Sequence, residues 1–573
     1  MNVRRALQTG GLLVALAGLL ASCSSPAPDA PGGSSPGAAG PAATGYDPAH
    51  RGGELKMIWQ NAGTSIDPAV DYDPNWFVLR MANDGLMAWK QVEGEDGNTL
   101  VPDLAAAVPT ATDGGLTYAF TVRKGVKYSS GGTVAPSDFA ASMLRQFTIP
   151  GPGVGIYSGI VGAQRCITKP ASCDLSKGIV ADDAAGTVTF HLTAPDPDFL
   201  QKLALPFAYV LPKGTKAADT GTTPLPATGP YMIESWKPNS SMRIVRNPAF
   251  TKWSDDAQPD GYPDVISMQI GLAPADAVTQ VENGQADWMY DTPPPDRLDE
   301  VATKYASQVH VNTAPINYYM ALNTRVAPFD NLQVRQALNF ATDRAALVQL
   351  FGGTRLATPT CQILPAGFPG YQASCPYTKD PGPTWSAPDL DKAKALVAQS
   401  GTAGQTVQII GTPDKASQDI DQYFVSVLTD LGYKASVKTL AADIAYGYVQ
   451  DSKNKAQMYY SYWSPDYTSA SNFLNVAVGC SGFSAGSSAS PNLAEFCDPA
   501  IEAKTKQALK VQQDDVAAAD QLWAGIDADT TAAAPWVSLY TASRLDFVSA
   551  RLGNFRFNPS VTGLFMIDQA WVR

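Results

Sequence analysis

The chain has 573 residues, 45% of them hydrophobic, with 41 Lys and Arg against 53 Asp and Glu, a net charge of −12. That length exceeds what one core can organise, so two or three lobes are expected. No basic run tracks along the chain, which excludes nucleic acid as the expected partner, and past the N-terminus no 18 consecutive apolar residues occur to span a bilayer.

In chain order, Arg4 and Arg5 precede an apolar run over 7–20, followed by Ala21-Ser22-Cys23. This is the layout of a secretory signal over 1–22, too short for a spanning helix. A cysteine at the cleavage point resembles the bacterial lipobox. The resemblance implies acylation of Cys23, palmitate included, and anchoring at the cell membrane on its extracytoplasmic face. Residues 24–45 contain no side chain larger than Pro or Asp. With Cys23 they are expected to form a flexible tether, 23–45, because so little apolar surface cannot offset the entropy of ordering.

Folded structure is expected from 46 onward. Alternation predicts strands at 54–60, 116–125 and 187–192, with further strands at 243–246 and 266–270. Residues 61–68 read as a loop. Helical spacing predicts helices at 76–89, at 137–147 through Phe139, Met143 and Phe147, and at 275–284. A strand follows at 318–323. One amphipathic helix is expected through Val334, Leu338, Ala341, Ala345 and Val348, closed by Gly352-Gly353. Helices at 391–399 and 420–431 alternate with strands at 407–410, 435–439 and 458–463. A long helical stretch over 499–527, interrupted at most near Gln513, precedes a last strand at 536–540. Strands and helices interleave throughout, so the fold class is α/β in several lobes.

Setting Cys23 aside leaves six of the seven cysteines, which allow 15 connectivities. Local pairing, Cys166–Cys173, Cys361–Cys375 and Cys480–Cys497, is the simplest in an exported protein. None of the spacings is C-x2-C, and His50, His191 and His310 are scattered. No metal and no cofactor are expected.

Gly482-Phe483-Ser484-Ala485-Gly486 matches the G-x-S-x-G nucleophile elbow. That motif requires a helix directly after the serine and a later Asp and His. Here Ser487-Ser488-Ala489-Ser490-Pro491 has loop composition, and no histidine follows His310. The acid pairs Asp182-Asp183, Asp255-Asp256 and Asp514-Asp515 read as solvated loop charges. No catalytic residue is expected, and an exported hydrolase stays as the alternative from another class.

Six blocks occur in an order that resembles the family 5 extracellular solute-binding proteins of ABC importers, the oligopeptide- and dipeptide-binding proteins and their relatives. They are Ser65-Ile66-Asp67-Pro68; residues 113–145 with Arg123-Lys124-Gly125-Val126-Lys127 and a helix opening at Asp138-Phe139; Thr228-Gly229-Pro230-Tyr231 with Arg246-Asn247-Pro248; Val281 to Asp287; Phe329 to Asp343; and Ala534-Pro535-Trp536 to Tyr540. Ala135 departs from the family's helix-capping Thr. The resemblance implies a bilobal periplasmic-binding-protein-like (type II) fold with an extra inserted α/β domain. Lobe I would take 46–90, 205–310 and 535–573, the insertion 91–204, and lobe II 311–534.

The same resemblance implies a non-enzymatic monomer that captures a peptide between its lobes and delivers it to membrane permease subunits with their ATPases. Tyr460 to Tyr467, then Asn472-Phe473-Leu474, resembles the segment whose Asp holds a peptide's α-ammonium. Asp466 takes that position, with Trp463 and Tyr467 beside it. A carboxylate in a water-poor cleft makes a strong charge-assisted bond to an ammonium. Gly63 and Thr64 match a main-chain pairing site for an extended ligand, and Tyr157 matches a cleft tyrosine. Tyr460 stands where an oligopeptide binder carries a basic residue, so no grip on a ligand carboxylate is expected there. An oligosaccharide or other solute is the alternative ligand, and a surface receptor that reads a peptide without importing it is a further reading.

Overall fold

Alternation at 54–60 produces the strand Glu54–Trp59, with Leu55 and Met57 buried and Glu54 and Lys56 exposed. In the computed structural model, which describes residues 46–72, 75–149, 151–560 and 563–573, this strand lies within a five-stranded mixed sheet. The order is Trp288–Met289, Glu54–Trp59, Val265–Ile270, Ser241–Arg246, Tyr231–Lys237. The expected signal 1–22, Cys23 and the tether 23–45 lie outside the described residues.

A second sheet of six strands runs Ala357–Pro359, Trp536–Phe547, Val309–Leu322, Met458–Trp463, Thr406–Gly411, Lys434–Thr439. Apolar side chains cover both of its faces, Val537 and Leu539 in one core cluster and Tyr319 and Trp536 in another. A third, antiparallel sheet joins Thr117–Thr121, Thr187–His191 and Ile179–Asp182. Helix Pro136–Thr148 packs on it through Phe139, Met143 and Phe147, against Phe120, Val188 and Phe190. Ala135 offers this helix no side-chain cap. The Asp138 carboxylate instead accepts from the Ala135 N–H at 2.9 Å.

Two long strands tie the first two sheets together. Val309–Leu322 and Trp536–Phe547 run antiparallel, with a register shift between Thr313 and Asn317. At one end Trp288 bridges to Val548 and the Ser549 N–H donates to the Asp287 carbonyl. At the other end Asn317 to Leu322 pair with Met458–Trp463. Trp536 to Thr541 therefore belongs to the second sheet. All of Trp536–Phe547 pairs within that sheet, and the bridge to the first sheet comes just after it, at Val548.

Three predicted helices break where a polar residue offers the backbone another partner. Residues 76–89 form helix Trp76–Ala82 and strand Met87–Trp89. Between them the Gly85 N–H donates to the Asp103 carboxylate at 3.3 Å. The helix expected through Val348 is two, Leu332–Ala341 and Arg344–Phe351. Asp343 caps the second by accepting from the Ala346 N–H at 3.0 Å, while its own N–H donates to the Tyr423 hydroxyl. The stretch at 499–527 divides into Pro499–Gln512 and Val516–Ala533, the latter capped by Asp515. Strand Tyr231–Lys237 and helices Pro295–Lys304 and Ala442–Gln450 appear where the pattern reading assigned no element.

The cysteines form Cys166–Cys173, Cys361–Cys375 and Cys480–Cys497. Each closes a short local loop.

Candidate functional site

Strand Met458–Trp463 gives every residue but Met458 to the lining of a cavity of about 640 Å³. Tyr460 and Tyr462 line it from that strand and Tyr318 from its neighbour; Phe351, Tyr446 and Tyr72 add further aromatic surface. Tyr318 stacks on Tyr540 with ring centroids 5.1 Å apart, and the Tyr460 hydroxyl lies 2.5 Å from that of Tyr540. Burial pushes the Tyr459 phenol up to about 12 and Tyr318, Tyr446 and Tyr460 higher still, so this wall is uncharged.

No Lys, Arg or His lines the cavity among the described residues, and Asp414 is its one charged lining side chain. Asp414 caps helix Lys415–Asp430, accepting from the Ser417 N–H at 2.9 Å and the Thr412 hydroxyl at 2.7 Å. Burial would raise its carboxyl, but these bonds win and hold it below the usual carboxylate range. The Ser464 hydroxyl also lines the cavity and is buried with no protein partner among the described residues.

Asp466 lies one residue-shell behind this wall. It is only 9% exposed, accepts from the Tyr72 hydroxyl on one oxygen, and accepts from Asn472 Nδ2 at 3.1 Å on the other. Tyr72 lines the cavity, so its hydroxyl links Asp466 to a residue of the cavity wall. Asn472 organises the segment: its Oδ1 accepts from Trp463 Nε1 at 2.8 Å and from the Asp466 N–H at 3.2 Å. Burial pushes the Asp466 carboxyl up, against the lowering pull of the Tyr72 and Asn472 bonds and of the Lys202 charge.

The other expected site residues divide. Trp463 and Tyr460 line the cavity. Tyr467 does not: it is buried in the core of the third sheet's domain, with Lys202 Nζ 5.7 Å above its ring. Tyr157 is buried in the same core and its hydroxyl donates to the Lys202 carbonyl at 2.7 Å, so it too is away from the cavity wall. The Gly63 N–H donates to Asn61 Oδ1 at 3.1 Å, which occupies the donor that strand pairing would use. Thr64 is exposed, and neither residue lines the cavity. In the sequence, Asn472 figures only as part of the family-like segment, and Tyr72 and Asp414 are assigned no role. Asp414 carries a legible helix-start signal, Asp414 followed by Ser417, whereas nothing local marks Tyr72, 394 residues from its partner.

The 466–472 loop is also tied to the third sheet's domain. Ser471 donates to Asp198, Gln512 Nε2 donates to Asp198 at 2.7 Å, and Gln201 Nε2 donates to the Thr468 carbonyl at 3.1 Å. Several family-like blocks hold the scaffold and stay clear of the cavity. Asp67 and Arg145 form a buried pair, with Nη1 to Oδ1 at 2.7 Å, and the Arg145 bonds overcome burial to keep Asp67 below its usual range. Asn247 donates to the Gly229 carbonyl, and Arg335 to the Phe329 and Ala533 carbonyls. Ser484 sits in a loop where its N–H donates to Ser490 Oγ, with no helix behind it.

A mixed α/β body carries a ligand-sized aromatic cavity with a buried carboxylate beside it. The chain belongs to the bacterial extracellular solute-binding proteins, family 5: the family's middle-region model matches residues 99–485. It is 24% identical over 538 residues to the periplasmic oligopeptide-binding protein OppA of Salmonella typhimurium, covering 89% of this chain and 88% of that protein. It is 24% identical over 414 residues to the glutathione-binding protein GsiB of Salmonella paratyphi A, covering 70% of this chain and 73% of that protein. Among solved structures, the clavulanic acid biosynthesis oligopeptide binding protein 2 superposes with a TM-score of 0.80 at 22% identity, over 91% of this chain and 96% of that one. That likeness carries the fold.

Proposed function

We propose that the protein is the peptide receptor of an ABC importer, anchored outside the membrane through lipid on Cys23, and that it passes peptides to permease subunits driven by separate ATPases. It works as a monomer and closes around its ligand by a hinge motion in the two crossing strands. The ligand's α-ammonium displaces the Tyr72 hydroxyl and pairs with Asp466. Trp463, Tyr460 and the neighbouring tyrosines wall the side chains. Main chain at Gly63 and Thr64 pairs with the ligand once the Asn61 contact is released, and Tyr157 and Tyr467 brace the site from behind.

The observation that carries this reading is the buried Asp466 carboxylate, held by Asn472 and by the hydroxyl of Tyr72, a residue that lines the cavity. The similarity to an oligopeptide-binding and a glutathione-binding protein supports the ligand class. Intrinsic fluorescence titration with free peptides, their N-acetylated forms and a panel of oligosaccharides tests it. Free peptides bind, and acetylation abolishes binding because the carboxylate is then buried unpaired. The aromatic wall favours a second reading, sugar stacking; binding of a sugar but no peptide would establish that instead. For the anchor, Cys23→Ser should release the protein from membranes, read by fractionation.

A further inference from the structure

A second concavity, about 760 Å³, shares no residue with the aromatic cavity. It is lined by Arg123, Lys124 and Lys127 from the segment after strand Thr117–Thr121, and by Lys252 and Trp253 from the segment after strand Ser241–Arg246, with Thr228 also in its wall. Four cations and no carboxylate line it, on a chain whose net charge is −12. The sequence shows no basic run because the fold gathers these residues from stretches more than a hundred positions apart.

Their charges are poorly compensated. Elsewhere Lys202 lies 2.6 Å from Asp196 and Lys90 lies 3.8 Å from Asp256. In the groove only Lys252 pairs, with the exposed Asp255, and an exposed pair of this kind is worth little. Arg123 is oriented by its Nε, which donates to the Asp103 carbonyl at 2.6 Å. Its two terminal nitrogens, and the Lys124 and Lys127 ammoniums, form no ion pair among the described residues, although the Arg123 charge acts on the buried Asp103 carboxyl.

The wall is also built. Trp253 Nε1 donates to Asp103 at 2.9 Å, and the Thr228 hydroxyl donates to Asp84 at 2.5 Å. Both carboxyls are buried, which pushes Asp84 up to about 7 and raises Asp103 well above the usual carboxylate range, with Asp84 adding to the latter.

We infer that this groove binds a small multivalent oxyanion, a phosphate- or diphosphate-bearing group. The Arg123 fork suits two phosphate oxygens at once, and the lysines supply point charges around it. The volume exceeds a lone phosphate and admits the group that carries it. The site is independent of the peptide reading.

Sodium pyrophosphate, titrated calorimetrically into the full-length protein at low and at physiological salt, tests this, together with co-flotation on vesicles of phosphatidylglycerol and of phosphatidylcholine. Binding is expected to weaken with salt. Lys124→Ala with Lys127→Ala should weaken it by roughly fivefold for each cation lost, the scale of one water-screened contact at about 4 Å. An unchanged melting temperature of that double variant shows that it folds, and Asp466→Asn should leave pyrophosphate binding intact. Binding of pyrophosphate assigns a soluble ligand. Binding of phosphatidylglycerol vesicles alone assigns a lipid headgroup. Binding of neither probe, or binding that the double variant retains within twofold, overturns the inference.

Discussion

Asp466→Asn keeps the shape of the site and removes one charge. The asparagine Oδ1 still accepts from Tyr72, so the free protein changes little. A bound ammonium, however, would face a neutral amide in a place only 9% exposed, with no other acid bonded to it. Breaking a buried pair by removing one partner costs about 3–5 kcal/mol, which weakens affinity by roughly 10² to several times 10³. The pH dependence gives a second reading of the same charge. Burial raises the Asp466 carboxyl, and an ammonium needs it ionised. Affinity should therefore hold steady well above that raised pKa and fall as pH drops through it, while the variant shows no such fall. Calorimetric titration of one tripeptide over a pH series that extends to both sides of the fall measures both. Affinity of the variant within threefold of the native protein, with the same pH profile, would refute the role of Asp466.

Asp421 is 1% exposed and neither of its oxygens has a partner among the described residues. Burial, with Asp414 adding to it, pushes its carboxyl up to about 7. The folded state therefore holds a proton that the unfolded chain has lost, and stability present at acid pH is lost as pH rises from about 4 towards 7, by an order of 4 kcal/mol. Asp421→Asn should flatten that decline in melting temperature, and an unchanged slope would count against a neutral Asp421. Asp67→Asn strands Arg145 in the interior and should cost about 3–5 kcal/mol in urea unfolding; a loss below about 1 kcal/mol would mean that the pair is solvated. A Cβ on Gly482 would lie 1.8 Å from the Val476 carbonyl, so Gly482→Ala should destabilise by about 1–3 kcal/mol. Ser484→Ala, two residues on in the loop, should shift stability by less than about 0.5 kcal/mol and leave peptide affinity unchanged, and any esterase or peptidase turnover that vanished with it would revive the hydrolase reading.

Period alone located most strands and several helices, because burial of one face leaves its mark on local sequence: Leu55 and Met57 in one case, Phe139, Met143 and Phe147 in another. It failed where the apolar period runs on through a backbone break. Ala341 and Ala345 keep the same spacing across Thr342 and Asp343, yet Asp343 caps a new helix and gives its own N–H to Tyr423. The cap was legible as an Asp three residues before a bonded N–H. The Tyr423 contact was not, since it joins positions 80 residues apart.

The cavity was less legible than the fold for a related reason. The blocks that mark the family are largely ties within the scaffold: Asp67 to Arg145, Asn247 to the Gly229 carbonyl, Asp287 to the Ser549 hydroxyl at 2.9 Å. Such residues meet fixed partners inside the protein, so the fold itself constrains their identity. Only the 460–474 segment both carries a motif and reaches the cavity. The rest of the wall, Tyr72, Tyr318, Phe351, Asp414 and Tyr446, comes from scattered stretches with no shared pattern. Their constraint is the ligand, which no local sequence rule describes. A change among them can therefore redirect the receptor to another solute while the family blocks, and the fold they hold, remain as they are.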